Sequence, residues 1–332
     1  MIAKIKNSEK VRLMEYNKKD YVRFNYIIKE KLGERNEVKR TKVSLILVMI
    51  LFGSIGLFVR AIDCTSSQIA LARGLIGSLC LMIASFILKQ PLSWKRIKPN
   101  LGILIASGIA IGLNWIFLFE AYKYTTIATA TICYYFAPVI VMFLSPLILK
   151  ERLSGIKIAC ILAAMLGMIC ITGTGEGGTG QNHFLGVAYG IGAAILYASI
   201  MIMNKFLKDV TSLESTVPQL GFAALAILPY VLLNGGFSVG QLDGQSIILL
   251  IIVGVVHTGI GYLIYFGAFQ KISGQTIAAF SYIDPISAII LSSLLLREEM
   301  TWLQIVGGIL ILGSTYISEL YRSRKAEIKI NE

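Results

Sequence analysis

Ten runs of apolar residues occupy most of this chain and limit what it can fold into. Each is about as long as the 17 to 25 residues with which an α-helix crosses the hydrocarbon core of a bilayer. Backbone groups cannot stay unpaired in lipid, so runs of this length must form helices. The sequence therefore predicts an all-α membrane protein with ten transmembrane helices. The predicted spans are Val43–Val59, Ile69–Leu88, Leu101–Phe119, Ile127–Leu149, Ile156–Ile171, Phe184–Met203, Val217–Leu233, Ile247–Phe269, Thr276–Leu296 and Trp302–Ser318.

The composition agrees with a membrane protein. Apolar residues make up 55% of the chain, charged residues make up 15%, and the mean hydropathy is +0.72. These values are far from those of a soluble domain. The segment Met1–Lys42 is too charged, and too long before its first apolar run, to be a cleaved signal peptide. We expect the five cysteines to be reduced packing residues, because they form no C-x-x-C pair.

Two stretches of the chain match each other without a gap at an offset of 147 residues. Phe119–Ile158 overlays Phe266–Ile305, and the match indicates that one five-helix module has been duplicated. The identical pairs include Phe119/Phe266, Ala121/Ala268, Thr129/Thr276, Tyr135/Tyr282, Pro138/Pro285, Leu144/Leu291, Ser145/Ser292, Leu147/Leu294, Glu151/Glu298 and Ile158/Ile305.

Charge placement predicts how these spans are oriented. If the N-terminus is cytoplasmic, 27 of the 31 Lys and Arg residues lie on the cytoplasmic side. The positive-inside rule then places both termini in the cytoplasm, with the protein in the cell membrane as a multi-pass protein. Because five is an odd number, the second module must cross the bilayer in the opposite sense. We therefore expect two inverted five-helix repeats, the architecture by which many secondary transporters alternate between two access states.

The predicted boundaries follow from the spans and the charges. Residues 1–42 form a basic cytoplasmic tail, 43–172 the first repeat, 173–183 a Gly-rich linker, 184–318 the second repeat and 319–332 a cytoplasmic C-terminal tail. The linker contains G-x-G-x-x-G at Gly173, Gly175 and Gly178. No strand precedes it, so we interpret this motif as a chance match rather than a dinucleotide site.

The paired segments of the two repeats resemble the EamA-type branch of the drug/metabolite transporter superfamily. The resemblance lies in Ala121-Tyr-Lys-Tyr-Thr, Tyr135-Phe-Ala-Pro138 and Leu149-Lys-Glu-Arg-Leu153, and in their second-repeat counterparts Ala268-Phe-Gln-Lys-Ile, Tyr282-Ile-Asp-Pro285 and Leu296-Arg-Glu-Glu-Met300. It implies a ten-helix inverted-repeat exporter or exchanger of small metabolites. In that family an acidic residue often precedes the proline in both copies. This chain has Asp284 in the second copy and Ala137 in the first.

Five polar side chains within or close to the spans require an explanation, because a charge in lipid costs about 2.5 to 3.5 kcal/mol on insertion scales. Asp284 lies near the middle of the ninth span, His257 near the middle of the eighth and Asn114 past the middle of the third. Arg73 and Glu120 lie about two turns or less from the outer face. The midplane residues occupy the depth at which such a transporter holds its substrate.

Each of these residues has two interpretations. Asp284, directly before Pro285, either binds substrate or a proton or holds the helix kink expected at that proline. His257 and Asn114 either contact substrate or bridge helices. Arg73 and Glu120 form a structural ion pair or an outer gate; if Arg73 is instead unpaired, it is the best available anchor for a substrate carboxylate.

Aromatic residues on the same spans complete the predicted site. Rings suit a cavity that holds an apolar or amphipathic metabolite, and tyrosine hydroxyls can orient it. Pro138 is expected to bend the fourth span as Pro285 bends the ninth. No metal site is predicted, because no Cys, Asp or Glu lies near His257 at ligand spacing. The residues predicted to bind substrate are Asn114, Trp115, Tyr135, His257, Tyr262, Tyr265, Tyr282 and Asp284.

These features favour a secondary-active or facilitative exporter of a small metabolite. Proton coupling, exchange and passive facilitation remain open, as do amino acids, other carboxylates, cationic drugs and purine-like compounds as substrates. No enzyme is expected, because H-E-x-x-H is missing, and no nucleotide-driven pump, because the phosphate-binding loop motif is missing. A ligand-binding membrane sensor, or a structural membrane partner without flux, is the alternative. We expect no cofactor and no nucleic-acid partner, and a monomer or homodimer in the lipid bilayer.

Overall fold

The computed structural model describes residues 37–148, 154–172, 182–236, 242–268, 271–272 and 274–331. These residues form helices joined by turns and short loops, and no β-strand occurs among them, which confirms the all-α class. Residues Met1–Ser44 form one unit, of which residues 37–44 are described and helical. Leu45–Glu332 form a second, compact unit. Most of the predicted N-terminal tail and of the Gly-rich linker lies outside the described residues.

The helices follow the predicted spans with shifted ends. The first helix is already present at Glu37, inside the predicted tail, and the last continues through the predicted C-terminal tail to Asn331. In chain order the helices are α1 Glu37–Ala61, α2 Ser66–Ile87, α3 Trp94–Ile97, α4 Leu101–Tyr124, α5 Ile127–Tyr134, α6 Ala137–Ile148, α7 Gly155–Thr172, α8 His183–Asn204, α9 Ser212–Leu233, α10 Gly244–Ile252, a π-helix Val253–Ile260, α11 Gly261–Ala268, α12 Gly274–Ser281, α13 Ile283–Leu296 and α14 Trp302–Asn331.

Among the described residues, seven helical segments are long and apolar enough to cross a membrane, and three apolar helices are shorter. The shorter ones are Gly155–Ile171, Ile283–Leu296 and Trp302–Ser318. Ile283–Leu296 is short because a turn at Tyr282 separates it from α12, so the predicted ninth span is divided into two helices. The chain is therefore a multi-pass membrane protein.

The helix is interrupted immediately before each of the two repeat prolines. The predicted fourth span divides at Tyr135 and Phe136, and the ninth divides at Tyr282. Pro138 then lies in the first turn of α6 and Pro285 in the first turn of α13. A proline is tolerated in the first turn, because the N–H that it lacks would have no partner inside the helix. Where bends were expected at Pro138 and Pro285, the structure therefore has short interruptions of the helix.

Helices α2 and α9 begin with the same motif, and hydrogen bonds join the start of each helix to the end of the other. Each begins at a capping box, formed by Thr65 with Gln68 in α2 and by Thr211 with Glu214 in α9. The Gln68 amide donates to the carbonyl of Gly236 after α9, at 2.9 Å. At the other end, the N–H of Ser93 after α2 donates to Glu214, also at 2.9 Å. The two helices are therefore antiparallel.

Helices α4 and α8 are antiparallel as well. Before α4, the Asn100 amide donates to the Lys208 carbonyl at 2.9 Å, and after α4, Thr125 bonds to His183 at the start of α8. These contacts define two ends of the helix bundle. We call the end with Gln68, Thr125 and His183 the Arg60 end, because Arg60 also lies there, and the end with Ser93, Asn100 and Glu214 the Arg96 end.

Helices α7 and α14 approach each other through two glycines. A Cβ atom on Gly307 would lie 2.5 Å from the Gly167 carbonyl oxygen, and one on Gly167 would lie 2.7 Å from the Gly307 carbonyl oxygen. Small residues allow such approach between helices in membranes, where van der Waals packing is a main source of helix association. The remaining helices enclose a core around Ile69, Phe119 and Leu220, each of which is fully buried.

Candidate functional site

A hydrogen bond joins the two interrupted spans at their breaks. The Tyr135 hydroxyl donates to Oδ2 of Asp284 at 2.8 Å. Tyr135 follows the last residue of α5, and Asp284 is the second residue of α13, so the bond links the first repeat to the second. The interruptions place both residues at helix ends. The structure thus brings together two residues predicted to bind substrate.

Further tyrosine rings adjoin this bond. Tyr134 lies edge-on to Tyr135 with ring centroids 5.8 Å apart, and it stacks on Tyr197 at 4.9 Å. Tyr265 lies edge-on to Phe52 at 6.2 Å. The hydroxyl that bonds to Asp284 therefore belongs to a group of packed tyrosine rings.

Two further tyrosines predicted to bind substrate make ring contacts. Tyr262 lies edge-on to Phe52 at 5.7 Å, and Tyr282 lies edge-on to Tyr316 at 5.5 Å. Both are partly buried. Tyr262 belongs to the ring cluster around Phe52, whereas Tyr282 packs against α14.

Arg73 has different partners from the one expected. Its Nε–H donates to Thr258 Oγ1 at 2.9 Å, and its guanidinium carbon lies 4.2 Å from the centre of the Trp115 ring. Glu120 pairs instead with Lys123 at 3.2 Å. The expected Arg73–Glu120 ion pair is therefore wrong: Glu120 lies on a partly exposed helix surface with a cation three residues away, whereas Arg73 is buried.

The π-helix Val253–Ile260 supplies two of the polar groups near Arg73. Its wider turn lets Thr258 donate its hydroxyl to the Val253 carbonyl, five residues earlier, at 3.0 Å. The Thr258 oxygen is therefore oriented to accept from Arg73. Turns of this kind inside α-helices occur frequently at functional sites.

His257 comes from the same π-helix and contacts α1. Its Nε2 atom is 3.1 Å from Ser54 Oγ, and its ring lies 4.7 Å from the Phe58 ring. The residue is completely buried. These contacts are those of the interhelical bridge that the sequence left open as one interpretation.

Asn114 also forms a hydrogen bond between two helices. Its amide donates to the Ala193 carbonyl at 2.6 Å, and the residue is buried. This bond joins α4 to α8. The contact favours the structural interpretation of Asn114, and its predicted contact with substrate stays a prediction.

A network of one ion pair and several hydrogen bonds, which the sequence did not predict, lies at the Arg60 end. Arg60, near the end of α1, pairs with Glu298, which lies after α13. The Arg60 Nε–H also donates to the Tyr122 carbonyl at 2.8 Å, and the Glu298 carboxylate accepts the Ile127 N–H at the start of α5 at 3.0 Å. A carboxylate is stabilised at a helix N-terminus by free N–H groups. The network connects four chain segments of the two repeats.

Sequence reasoning missed Thr258, Ser54, Tyr197 and the Arg60–Glu298 pair. Thr258 and Ser54 gain their roles from local breaks in α-helical geometry, which apolar periodicity does not reveal. The repeat alignment did contain one signal, because it matched Glu298 with Glu151. Within the described residues, no group of three or more His, Cys, Asp or Glu side chains could hold a metal ion.

Comparison with known proteins agrees with this architecture. The chain is 26% identical over 288 residues to an uncharacterized transporter, YxxF, of Bacillus subtilis (strain 168), covering 86% of this chain and 91% of the relative. It is 26% identical over 236 residues to a probable amino-acid metabolite efflux pump of Salmonella typhimurium, covering 67% of this chain and 78% of that protein. A solved crystal structure shares the fold, with a TM-score of 0.59 and 15% identity over 85% of this chain and 98% of that chain.

The sequence profile of one family matches the chain twice, over residues 41–173 and again over residues 184–320. The two matches together cover most of the chain and agree with the resemblance found in the paired segments. The chain belongs to the EamA-like transporter family.

Proposed function

We propose that this protein exports a small metabolite, an amino acid or a similar compound, by alternating access between two inverted five-helix repeats. The observation that carries this proposal is the Tyr135–Asp284 hydrogen bond, which joins the breaks of two equivalent spans. Placing a carboxyl group at a helix break inside a membrane protein costs free energy, so a carboxyl group found there usually has a function. The name of the Salmonella relative supports an amino-acid metabolite as cargo.

Several contacts support ten spans in two inverted repeats. Seven long and three shorter apolar helices match the ten predicted spans in position. Helices α5 and α12 begin at Ile127 and Gly274, which are separated by the offset of the sequence repeat. The equivalent helices α2 and α9 run antiparallel, as inversion requires. We therefore retain the repeat boundaries 43–172 and 184–318, with 1–42, 173–183 and 319–332 as tail, linker and tail.

Charge supports one orientation of this bundle in the cell membrane. The Arg96 end carries Lys89, Lys95, Lys98, Lys205 and Lys208 near its loops. Cytoplasmic loops are enriched in Lys and Arg. In this proposal the Arg96 end and both chain termini are cytoplasmic, and the Arg60 end faces outward.

The Arg60–Glu298 network is the outer gate in this proposal, in place of the Arg73–Glu120 pair. It joins α1 and the α4–α5 connection of the first repeat to the segment after α13 of the second. Opening the outer end requires these segments to separate, so these bonds must break. The two ends of an alternating-access protein open in turn.

The central residues have two roles in this proposal: some bind substrate, and others hold neighbouring helices together. Asp284, Tyr135, Tyr262, Tyr265 and Tyr282 contact substrate in this proposal, and Asp284 also couples proton movement if transport is coupled. Asn114 and His257 support the helices around them. No chemical step is involved, so the protein is not an enzyme and uses no cofactor.

Reconstitution into proteoliposomes tests this function. Purified protein should catalyse counterflow of a radiolabelled amino-acid mixture, and Asp284→Asn should lower the rate or change its dependence on pH. If Asp284→Asn and His257→Ala both leave flux and its pH dependence unchanged, the assignment of the central site is wrong. Specific binding without flux in any condition would favour the alternative, a ligand-binding membrane sensor or structural membrane partner.

A single labelling experiment tests the inverted topology. The test uses Lys123→Cys, in the last turn of α4, and Lys271→Cys, after α11, which lie at or near equivalent connections of the two repeats. A membrane-impermeant maleimide should reach one from outside the cell and the other only from inside. Labelling of both from the same side would exclude inversion.

A further inference from the structure

We propose that Arg73 and Trp115 form a carboxylate-binding subsite, and that the substrates of this protein are small organic carboxylates with an apolar body. The inference deepens the proposed function and rests on it for the role of the bound compound as cargo. In this inference the protein recognises the carboxylate of its substrate and does not require an amino group. Organic acids that lack an amine therefore belong to the same substrate class as amino acids.

The first argument is the burial of a cation that has no carboxylate in direct contact with it. Arg73 is 6% exposed, yet no carboxylate among the described residues bonds to it. Glu120 pairs with Lys123, and Asp284 accepts from Tyr135, although Arg73 and Asp284 interact electrostatically at longer range. A buried cation without a paired anion is costly, so an anionic ligand that reaches it gains affinity.

The second argument is the geometry of the guanidinium group. Its Nε–H is held by Thr258, and one of its faces is covered by Trp115. Within the described part of the chain, neither Nη atom has a hydrogen-bond acceptor. The Nη side of the group therefore offers parallel N–H donors in a fixed position, which is the pattern that binds a carboxylate with two bonds.

The third argument is the orientation of the Thr258 hydroxyl, which holds Arg73. The Thr258 hydroxyl donates to the Val253 carbonyl, so its oxygen accepts the Arg73 Nε–H and cannot turn away without breaking a second bond. The wider turn of the π-helix makes this arrangement available. Arg73 is thus held by Thr258 of the second repeat while its Nη atoms have no acceptor among the described residues, an arrangement that suits a ligand rather than an internal ion pair.

The fourth argument concerns the body of the ligand. The Trp115 ring lies against Arg73, and the Phe119 ring centre is 6.0 Å from the guanidinium carbon. Tyr135, which donates to Asp284, lies edge-on to Tyr134, and Tyr134 stacks on Tyr197. A carboxylate bound at Arg73 would extend its carbon chain along aromatic surfaces, which favour a flat apolar group.

Trp115 provides a direct reporter of this subsite. The chain has three tryptophans, and the other two, Trp94 and Trp302, are exposed. Replacing those two with phenylalanine leaves Trp115 as the single indole fluorophore, directly beside Arg73. Four probes with one phenyl body then separate the chemical groups: 3-phenylpropionate, phenylalanine, phenethylamine and 3-phenylpropionamide.

We expect 3-phenylpropionate and phenylalanine to change Trp115 emission in a saturable way, and phenethylamine and the amide to bind at least about tenfold more weakly. In the same background, Arg73→Gln should remove the preference for the carboxylates. Arg73→Lys should restore part of it, because lysine keeps the charge but not the two-bond geometry. A purely structural Arg73 would instead lower stability and leave the order of the four probes unchanged.

Two results overturn the inference. One is equal or tighter binding of phenethylamine or the amide by the folded Trp115 protein, and the other is the lack of any response to the carboxylates. Thermal unfolding of each variant establishes that it is folded. Failure of the proposed function is distinguishable: carboxylate binding without counterflow refutes transport alone, and counterflow of phenethylamine without carboxylate preference refutes the subsite alone.

Discussion

Tyr135 and Asp284 meet at the breaks of two equivalent spans, with the phenol donating a 2.8 Å hydrogen bond to the carboxylate. The repeat alignment pairs Tyr135 with Tyr282 and Pro138 with Pro285, so each residue belongs to the same part of its own repeat. The asymmetry lies before the prolines, where Ala137 stands opposite Asp284. The contact between the two breaks therefore contains one carboxyl group, which comes from the second copy.

Removing the Tyr135 hydroxyl should impair transport. Tyr135→Phe keeps the ring but leaves Asp284 without this hydrogen bond, and a hydrogen bond to a charged group contributes about 1.5 to 3 kcal/mol. We expect counterflow about tenfold slower or more. Tyr189→Phe is the matched control, because Tyr189 makes ring contacts with Phe117 and Tyr124 that need no hydroxyl. Equal rates for the two variants would contradict the role of the bond.

Weakening the proposed outer gate should expose the interior from the Arg60 end. With Cys64 replaced by serine, a reporter Phe58→Cys lies about half a turn from Arg60 on α1. Adding Arg60→Gln removes the pair with Glu298, and a shift of about 1 kcal/mol toward opening would speed maleimide labelling roughly fivefold.

The control for the gate is the exposed Glu120–Lys123 pair. Exposed pairs contribute about 0 to 1 kcal/mol, so Lys123→Gln should leave reporter labelling nearly unchanged. Combining Arg60→Gln with Glu298→Gln should add little to either single change, because the two residues act through one contact. Independent, additive effects would show that the pair is not the gate.

The α7–α14 contact should not tolerate a side chain at Gly307. In Gly307→Ala, the new Cβ would lie 2.5 Å from the Gly167 carbonyl oxygen and 2.8 Å from Ile171. The helices must move apart, and we expect a loss of about 1 to 3 kcal/mol in the free energy of unfolding. Thermal unfolding in detergent measures it. Gly313→Ala on the same helix meets no atom within 4 Å and should be neutral or stabilising.

The loop thiol Cys64 should react slowly at neutral pH. Partial burial, and after it the nearby carboxylates of Asp63 and Asp243, raise the pKa of Cys64 above its usual value. Only the thiolate reacts, so a raised pKa lowers the labelling rate at pH 7, and the rate should increase as the pH rises.

Removing a negative charge beside Cys64 should reverse part of this effect. Asp63→Asn should lower the pKa of the thiol and so increase maleimide labelling of Cys64 at fixed pH. Asp209→Asn, at the Arg96 end, makes the same change of charge at a distance and should have no effect. A similar acceleration by both variants would exclude a local electrostatic cause.

The sequence by itself determined the membrane class, the helical architecture and the approximate position of each span. These are consequences of local properties: long apolar runs require helices in lipid, and a proline permits a helix to begin but not to continue unchanged. The breaks at Tyr135 and Tyr282 lie within one helical turn before the repeat prolines. The family followed from the paired segments, and the profile matches confirm it.

Only the tertiary structure decided which polar groups pair with which. Arg73 and Glu120 come from adjacent spans at similar depth, yet Arg73 bonds to Thr258 and Glu120 to Lys123. The choice depends on the π-helical turn that orients Thr258 and on the rotation of each helix about its axis, and both are set by packing against other helices. The Arg60–Glu298 contact likewise joins residues 238 positions apart, so only packing of the two repeats brings them together.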